Sequence, residues 1–254
     1  CDIKNYNDYR NYRNAAWYIK QQKDAEARAN AMGFDKVSKL KLEVGKSIKE
    51  FIAGGGFLFT MCSGTDSFDI SMAAENTDIC EYMFDGDAAD PSAQSKLNYN
   101  KSLAFKNFTL KTNPMEYEFS DIDGTALHKL PENQDLFTLF EFSAKWDIVP
   151  TLLCQNHTRI IKGFMGQTTD FKTSLVKSNV LIMGESKVFG TARYIHGQYG
   201  KGQWTFYGGH DPEDYRHYVN DPITDLNLYP NSPGYRLILN NILFPAAKKK
   251  KQKT

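Results

Sequence analysis

The chain has 254 residues, 41% of them hydrophobic, with 17 Phe and 14 Tyr, ample for a large core in one domain or one domain with an elaboration. A formal net charge of +1 gives no general attraction to nucleic acid or a membrane surface, and no apolar run reaches the roughly 18 residues of a membrane span. The four cysteines (Cys1, Cys62, Cys80, Cys154) form no C-x-x-C pair and no zinc spacing, so no metal and no cofactor is expected.

The first fifty residues read as helix. A run near Ala15 to Met32, rich in Ala, Gln, Lys and Glu, is stopped by Gly33. In the next helix Asp35 is placed to cap, Val37, Leu40, Val44, Ile48 and Phe51 follow helical spacing, and Gly54-Gly55-Gly56 ends the element. Phe57, Leu58, Phe59 and Met61 then form an apolar run of the kind a strand covered on both faces requires. Residues 76–134 change character: D-G-D-A-A-D-P (85–91), N-P (113–114) and D-I-D-G (121–124) punctuate short pieces such as Phe105 to Leu110, so an inserted, irregular or β-rich lobe is expected. Asp85, Asp87 and Asp90 lack the closing Glu of a calcium loop and read as a solvated acidic turn. Strands are predicted at Leu136–Phe142 and Val180–Met183, and a hairpin at Tyr194–Tyr207 turning on Gly200-Lys201-Gly202. Ser232 and Pro233 open a last helix, apolar around most of its circumference and therefore expected to be buried. The lysines of 248–254 read as a disordered basic tail.

Chemistry concentrates at two strand ends. Cys62 follows the Phe57–Met61 strand and precedes Ser63, Gly64 and a helix-compatible segment. That is the layout of a nucleophile elbow, in which a tight turn lifts the reactive atom and the following N–H groups bind an oxyanion. A buried structural cysteine is the plain alternative. A cysteine nucleophile needs a base and the base an orienting group. Of His128, His157, His196, His210 and His217, only His210 leaves a strand through two glycines, Gly208 and Gly209, with Asp211, Glu213 and Asp214 behind it. The expected site is Cys62 as nucleophile, His210 as base and Glu213 or Asp211 as its orienter, with Ser63, Gly64 and Gly209 supplying oxyanion and substrate contacts. A tight structural loop is the alternative for His210. Helix-dipole and histidine neighbours would lower the Cys62 thiol.

The segment G-G-G-F-L-F-T-M-C-S-G-T-D (54–66) resembles the nucleophile region of class I glutamine amidotransferase-like domains, with Cys62 and Gly64 on the G-x-C-x-G pattern. The closing G-K-G-Q-W-T-F-Y-G-G-H-D-P-E-D (200–214) is similar to the trehalose-utilisation (ThuA-like) branch, whose G-H-x-P-E-like motif falls on Gly209, His210, Pro212 and Glu213. That branch usually carries His where this chain has Cys62. Nearly end to end, including P-N-S-P-G-Y-R-L-I-L-N-N, the chain resembles the C-terminal portion of Bacteroidota proteins often labelled asparagine synthetase B.

The resemblance implies an α/β domain of flavodoxin-like, class I amidotransferase-like architecture with a parallel sheet: 1–75 the helices and nucleophile strand, 76–134 the inserted lobe, 135–247 the remainder. It implies amidotransferase-like or hydrolase-like chemistry on an amide or carbohydrate-related small molecule, with a non-catalytic binding or scaffold module as the rival reading. Asparagine synthetase-type activity, which the label suggests, is a further alternative. Ser63-Gly64-Thr65-Asp66-Ser67 is one residue and one glycine short of an S-G-G-x-D-S pyrophosphate loop, so nucleotide-dependent synthesis is not expected. Asp66-Ser67 stand close behind the elbow where a class I glutaminase has Gln, and Glu213 lies three residues after His210 rather than two. Such domains also place parallel strands before the nucleophile strand, where this chain has helices. An N-terminal remainder of the same protein or a partner chain is therefore expected to complete the sheet. The chain begins with Cys1 rather than Met, so both the bacterial cell envelope or periplasm and the cytoplasm remain open as compartments.

Overall fold

The computed structural model describes residues 9–127, 129–140, 158–216, 218, 221–243 and 245. Cys1, Cys154, His128, His157, His217, positions 141–142 of the predicted Leu136–Phe142 strand and the lysine tail lie outside them.

The described chain is mixed α/β. Four helical segments, α1 (Tyr9–Tyr12), α2 (Ala16–Ala31), α3 (Val37–Ala53) and, after strand β1 (Phe57–Met61), α4 (Ser63–Ala73), precede two short turns of helix, α5 (Tyr82–Asp85) and α6 (Ala93–Lys96). Strands β2 (Leu136–Leu139), β3 (Ile160–Lys162), β4 (Phe171–Lys172), β5 (Leu181–Ser186), β6 (Thr191–Tyr199) and β7 (Gly202–Tyr207) follow, and α7 (Pro233–Leu243) closes the chain. The sheet runs β1-β7-β6-β5-β2-β3, with β4 paired to β6.

The sheet is curled and mostly antiparallel, and the parallel arrangement expected from the resemblance is confined to β1 and β7. The reason is connectivity. Gly200 and Lys201 make so tight a turn between β6 and β7 that those strands can only run antiparallel, whereas β1 reaches β7 through a long crossover. The hairpin itself lies where the aromatic alternation and the G-K-G turn predict it.

Among the described residues, 76–134 contribute no strand to the sheet; Phe105 and Leu110 make only single bridges, to Val176 and Ser120. The segment is irregular rather than β-rich, and its apolar side chains join the main core. Ile79, Leu103, Phe105, Phe108 and Ile122 share one core with Ile70 and Met72 of α4 and with Phe206 of β7. Asp69 fixes it there: its buried carboxylate accepts the Leu103, Ala104 and Phe105 N–H groups at 2.7, 2.7 and 2.8 Å.

Two helix faces differ from the spacing argument. In α3 the cap position is Lys36, not Asp35, whose carboxylate pairs with Lys39 at 2.6 Å instead. The buried face is Val37, Leu40, Gly45 and Ile52, while Val44 and Phe51 are exposed. A Cβ on Gly45 would meet Met72 Cε at 2.8 Å, so the glycine lets α3 lie close against α4 on this face. In α7, capped by Ser232 Oγ accepting Tyr235 N–H at 3.3 Å, Leu237 is buried but Leu239, Ile242 and Leu243 are exposed. The helix covers the sheet with one face only.

Strand direction decides where everything else sits. β1 and β7 end, β2 and β6 begin, and β3 and β5 end, at the same edge of the sheet. Cys62, His210, Arg193 and the loop after β3 therefore gather at one end.

Candidate functional site

Cys62 is the junction between β1 and α4. Its N–H continues the parallel ladder, donating to Tyr207 O and Gly209 O at 3.1 Å each. Its backbone then turns sharply, at φ 52° and ψ −139°, and Ser63 begins the helix. A non-glycine residue there is strained by roughly 1–3 kcal/mol. The strand, sharp turn and helix expected around Cys62 are all found.

Ser63 and Gly64 are the first two residues of α4, so their N–H groups belong to the helix's unbonded N-terminal set. A Cβ on Gly64 would lie 3.8 Å from Thr60 Cβ, an ordinary contact, so packing does not demand glycine there.

His210 leaves β7 at the same level. Gly208 and Gly209 are required for this path: a Cβ on Gly208 would fall 2.1 Å from Thr169 O, and Gly209, at φ 79°, would place one 2.6 Å from Phe164 Cβ. The His210 ring lies against the Phe164 ring, centroids 4.1 Å apart. Strand register thus brings the Cys62 and His210 segments together, backbone to backbone.

The two acids are engaged elsewhere. Asp211 accepts the Thr224 hydroxyl at 2.5 Å, the Tyr235 hydroxyl, and the Glu213 and Asp214 N–H groups at 3.2 Å. Burial works to raise its carboxyl, yet these donors hold it below the ordinary value. Glu213, its side chain 7% exposed, pairs with Lys162 at 2.5 Å. This pair lines a recess of about 500 Å³ together with Pro131, Glu132, Leu136 and Tyr215, at the same end of the sheet.

Around the thiol is a group that sequence reasoning missed. The loop Phe164–Asp170 crosses the end of the sheet, and Gln167 O accepts the Cys62 Sγ–H at 2.6 Å. Thr168, at φ 54°, donates its N–H to Asp123 Oδ2 at 2.7 Å and its hydroxyl to Asp66 Oδ1 at 2.9 Å. Thr168 O in turn accepts the Gly209 N–H at 3.1 Å. Asp66 is wholly buried and Asp123 nearly so. Behind them Arg193, fully buried, pairs with Asp135 at 2.5 Å and approaches Asp170 at 3.8 Å.

Burial pushes the Cys62 thiol up to about 12 against the opposing Ser63 N–H, with the negative charge held by the Asp66–Asp123 pair adding to it. The expected lowering is not met: the loop and two carboxylates surround the sulfur, and their effect exceeds the helix end's. Cys80 is also raised, by burial and then Asp85 and Asp78. The signal in the sequence was G-Q-T-T-D, a polar cluster between strands, and the already noted Asp66; nothing in either spacing ties them to Cys62.

Asp78, Asp85 and Asp87 offer oxygens within 4.8 Å of one another, but they surround the Lys36 ammonium, which supplies the cation. Asp90 sits apart, bonded to Ser92 and Lys96. No described helix is long and apolar enough to cross a membrane.

Comparisons of the chain with protein-family models, with curated proteins and with solved structures find no match in any of the three.

Proposed function

We propose that this chain is a cysteine-dependent amidotransferase-like or hydrolase-like domain acting on an amide or carbohydrate-related small molecule. The observation that carries this reading is the backbone of Cys62. A φ of 52° at a strand-to-helix junction is costly, and such strain persists at sites where it presents a reactive group. In this reading Cys62 Sγ attacks the carbonyl carbon, His210 accepts the thiol proton and returns it to the leaving group, and the Ser63 and Gly64 N–H groups hold the oxyanion. Glu213 or Asp211 would orient His210 only after release from Lys162, or from Thr224 and Tyr235, respectively. The recess beside Glu213 is the substrate's place. The class I amidotransferase-like resemblance supports the same assignment, with the parallel β1–β7 pair as the part of that architecture carried by these residues. β1 pairs on one side only among the described residues, so its free edge is where an N-terminal remainder or a partner chain would add strands.

The rival is a binding or scaffold module. It is favoured by the thiol's hydrogen bond to Gln167 O and by the commitment of both acids elsewhere. Asparagine synthetase-type activity is the least supported: Ser63–Ser67 are helical and Asp66 is buried, which leaves no open cradle for phosphates.

The test is acid-quenched mass spectrometry after incubation with glutamine, asparagine and acyl derivatives of simple sugars. An acyl group on Cys62 that disappears in His210→Ala supports catalysis. Saturable binding with no adduct across the panel supports the module.

A further inference from the structure

The 164–170 loop is tied down at several points, Met165 N–H to Tyr215 O at 2.7 Å, Gln167 Nε2 to Tyr117 O and Thr169 N–H to Thr125 Oγ1 at 3.1 Å among them, and Thr168 is the residue that ties it to the buried carboxylates beside the thiol. Thr168 joins both buried carboxylates, Asp123 by its N–H and Asp66 by its hydroxyl, and its carbonyl takes the Gly209 N–H. The preceding carbonyl, that of Gln167, covers the thiol. Thr168 adopts this position against its own preference, since φ 54° is unfavourable for a β-branched residue. Releasing its two side-chain partners would loosen the middle of the loop, where the Gln167 carbonyl covers Cys62, while the ends stay tied at Met165 and Asp170.

The carboxylates are unequal. Asp123 Oδ1 accepts the Thr125 N–H and hydroxyl at 2.9 and 2.5 Å, and its Oδ2 accepts the Thr168 N–H, so both oxygens are satisfied. Asp66 Oδ1 accepts from Thr168 Oγ1 and from the Ser67 N–H, but Oδ2 is buried without any partner. A bare anionic oxygen in a buried site costs several kcal/mol, so Oδ2 is the oxygen that carries a proton.

We propose that Asp66 is a positioning residue for Cys62: it shares one proton with Asp123 across Thr168, and this neutral-plus-anionic pair holds the Gln167 carbonyl on the thiol and controls access to it. The inference rests on reading Cys62 as the reactive group. Burial, and then the Asp123 charge, raise Asp66 well above its ordinary value, while burial brings Asp123 up to about 6. The groups facing the pair are Cys62 on the α4 turn, Thr125 on the 121–125 turn, and Thr168 and Asp170 on the loop. Asp170 is itself held by Thr191 and near Arg193 on β6, and Arg193 is engaged by Asp135. Loss of the second proton would set two anions on either side of Thr168 and loosen the middle of the loop.

The test is the pH dependence of Cys62 alkylation by iodoacetamide, read by peptide mass spectrometry, in wild type, Asp66→Asn, Asp66→Ala and Thr168→Ala. At neutral pH Asp66→Asn, an isosteric neutral group, should react as slowly as wild type, and the two alanine variants roughly tenfold faster. Thiolate formation alone gives a tenfold rise in rate per pH unit. Wild type should exceed that slope on the alkaline side as the pair loses its proton, and Asp66→Asn should follow it. Equal slopes in these two proteins, or an Asp66→Asn as fast as Asp66→Ala, would overturn the proposal. The wild-type and Asp66→Asn comparison needs no destabilised variant. Alkylation measures access rather than turnover, so a chain that never forms an acyl adduct can still pass or fail this test.

Discussion

The Cys62 N–H donates to Gly209 O at 3.1 Å, which ties the turn carrying the thiol directly to the residue before His210. The bond is a consequence of register. Met61 lies opposite Tyr207 in the parallel β1–β7 pair, so the two chains leave the sheet at one level. Both residues of the contact have positive φ, 52° at Cys62 and 79° at Gly209, but only glycine adopts it without strain. The energetic load of this contact therefore falls on Cys62, and the first prediction follows from that.

Cys62→Gly should be more stable than Cys62→Ala by about 1 kcal/mol, because glycine relieves the φ 52° strain that alanine retains. Urea denaturation of the two variants measures it. Neither has a thiol, so the difference isolates the backbone. An alanine variant at least as stable as the glycine variant would mean that Cys62 is not under strain.

Two glycines of the site should respond oppositely to alanine. Gly208→Ala should cost at least about 2 kcal/mol and loosen the 164–170 loop, since its Cβ meets the Thr169 carbonyl at 2.1 Å. Gly64→Ala meets only Thr60 Cβ at 3.8 Å, in the first turn of a helix, and should change stability by less than about 0.5 kcal/mol or raise it. Thermal melts of both variants decide this, and a Gly64→Ala penalty equal to that of Gly208→Ala would refute it.

Local grammar made part of this molecule readable in advance. Alternation and G-K-G located the β6–β7 hairpin, Ser232-Pro233 located the start of α7, and an apolar run ending in Cys-Ser-Gly located the strand-to-helix turn at Cys62. The missing parts are long-range. Thr168 meets Asp66 across 102 positions and Gln167 meets Cys62 across 105, in a polar segment with no periodicity to follow. The α3 face was misjudged because a glycine, which carries no hydrophobic signal, sits on the buried face close against Met72 of α4. Sheet polarity was carried over from a resemblance, and only the β1–β7 pair keeps it.

Asp69→Ala should be among the most damaging single changes here, costing of order 3 kcal/mol or more. It leaves three buried N–H groups, those of Leu103, Ala104 and Phe105, without an acceptor. Because that turn carries Phe105 into the main core, the loss should appear as global destabilisation in urea rather than local fraying. Hydrogen exchange that quickens only at residues 103–105, with the denaturation midpoint unchanged, would show the segment to be independent of the core.

The last prediction concerns acid. His196 is buried on β6, its Nδ1 2.9 Å from Thr205 Oγ1, and burial lowers it to about 4. The unfolded chain, with an ordinary histidine near 6.5, binds the proton more readily between these values. Stability contributed by neutral His196 is therefore present above about pH 6.5 and is lost as the pH falls toward about 4, by of order 3 kcal/mol in all. Asp69 and Asp123 act with the opposite sign. Burial raises each to about 6, so the folded protein binds their protons first, and their contribution is present at low pH and lost as pH rises through about 6. The wild-type profile is the sum of these opposing slopes. His196→Gln removes one of them while keeping a polar partner for Thr205. Urea titrations at pH steps from about 7 to about 4 should show the variant gaining on wild type as the pH falls, the gap closing or reversing by up to about 3 kcal/mol. If the two proteins run parallel throughout that range, His196 is already protonated in the fold or is solvated, and the buried neutral histidine is wrong.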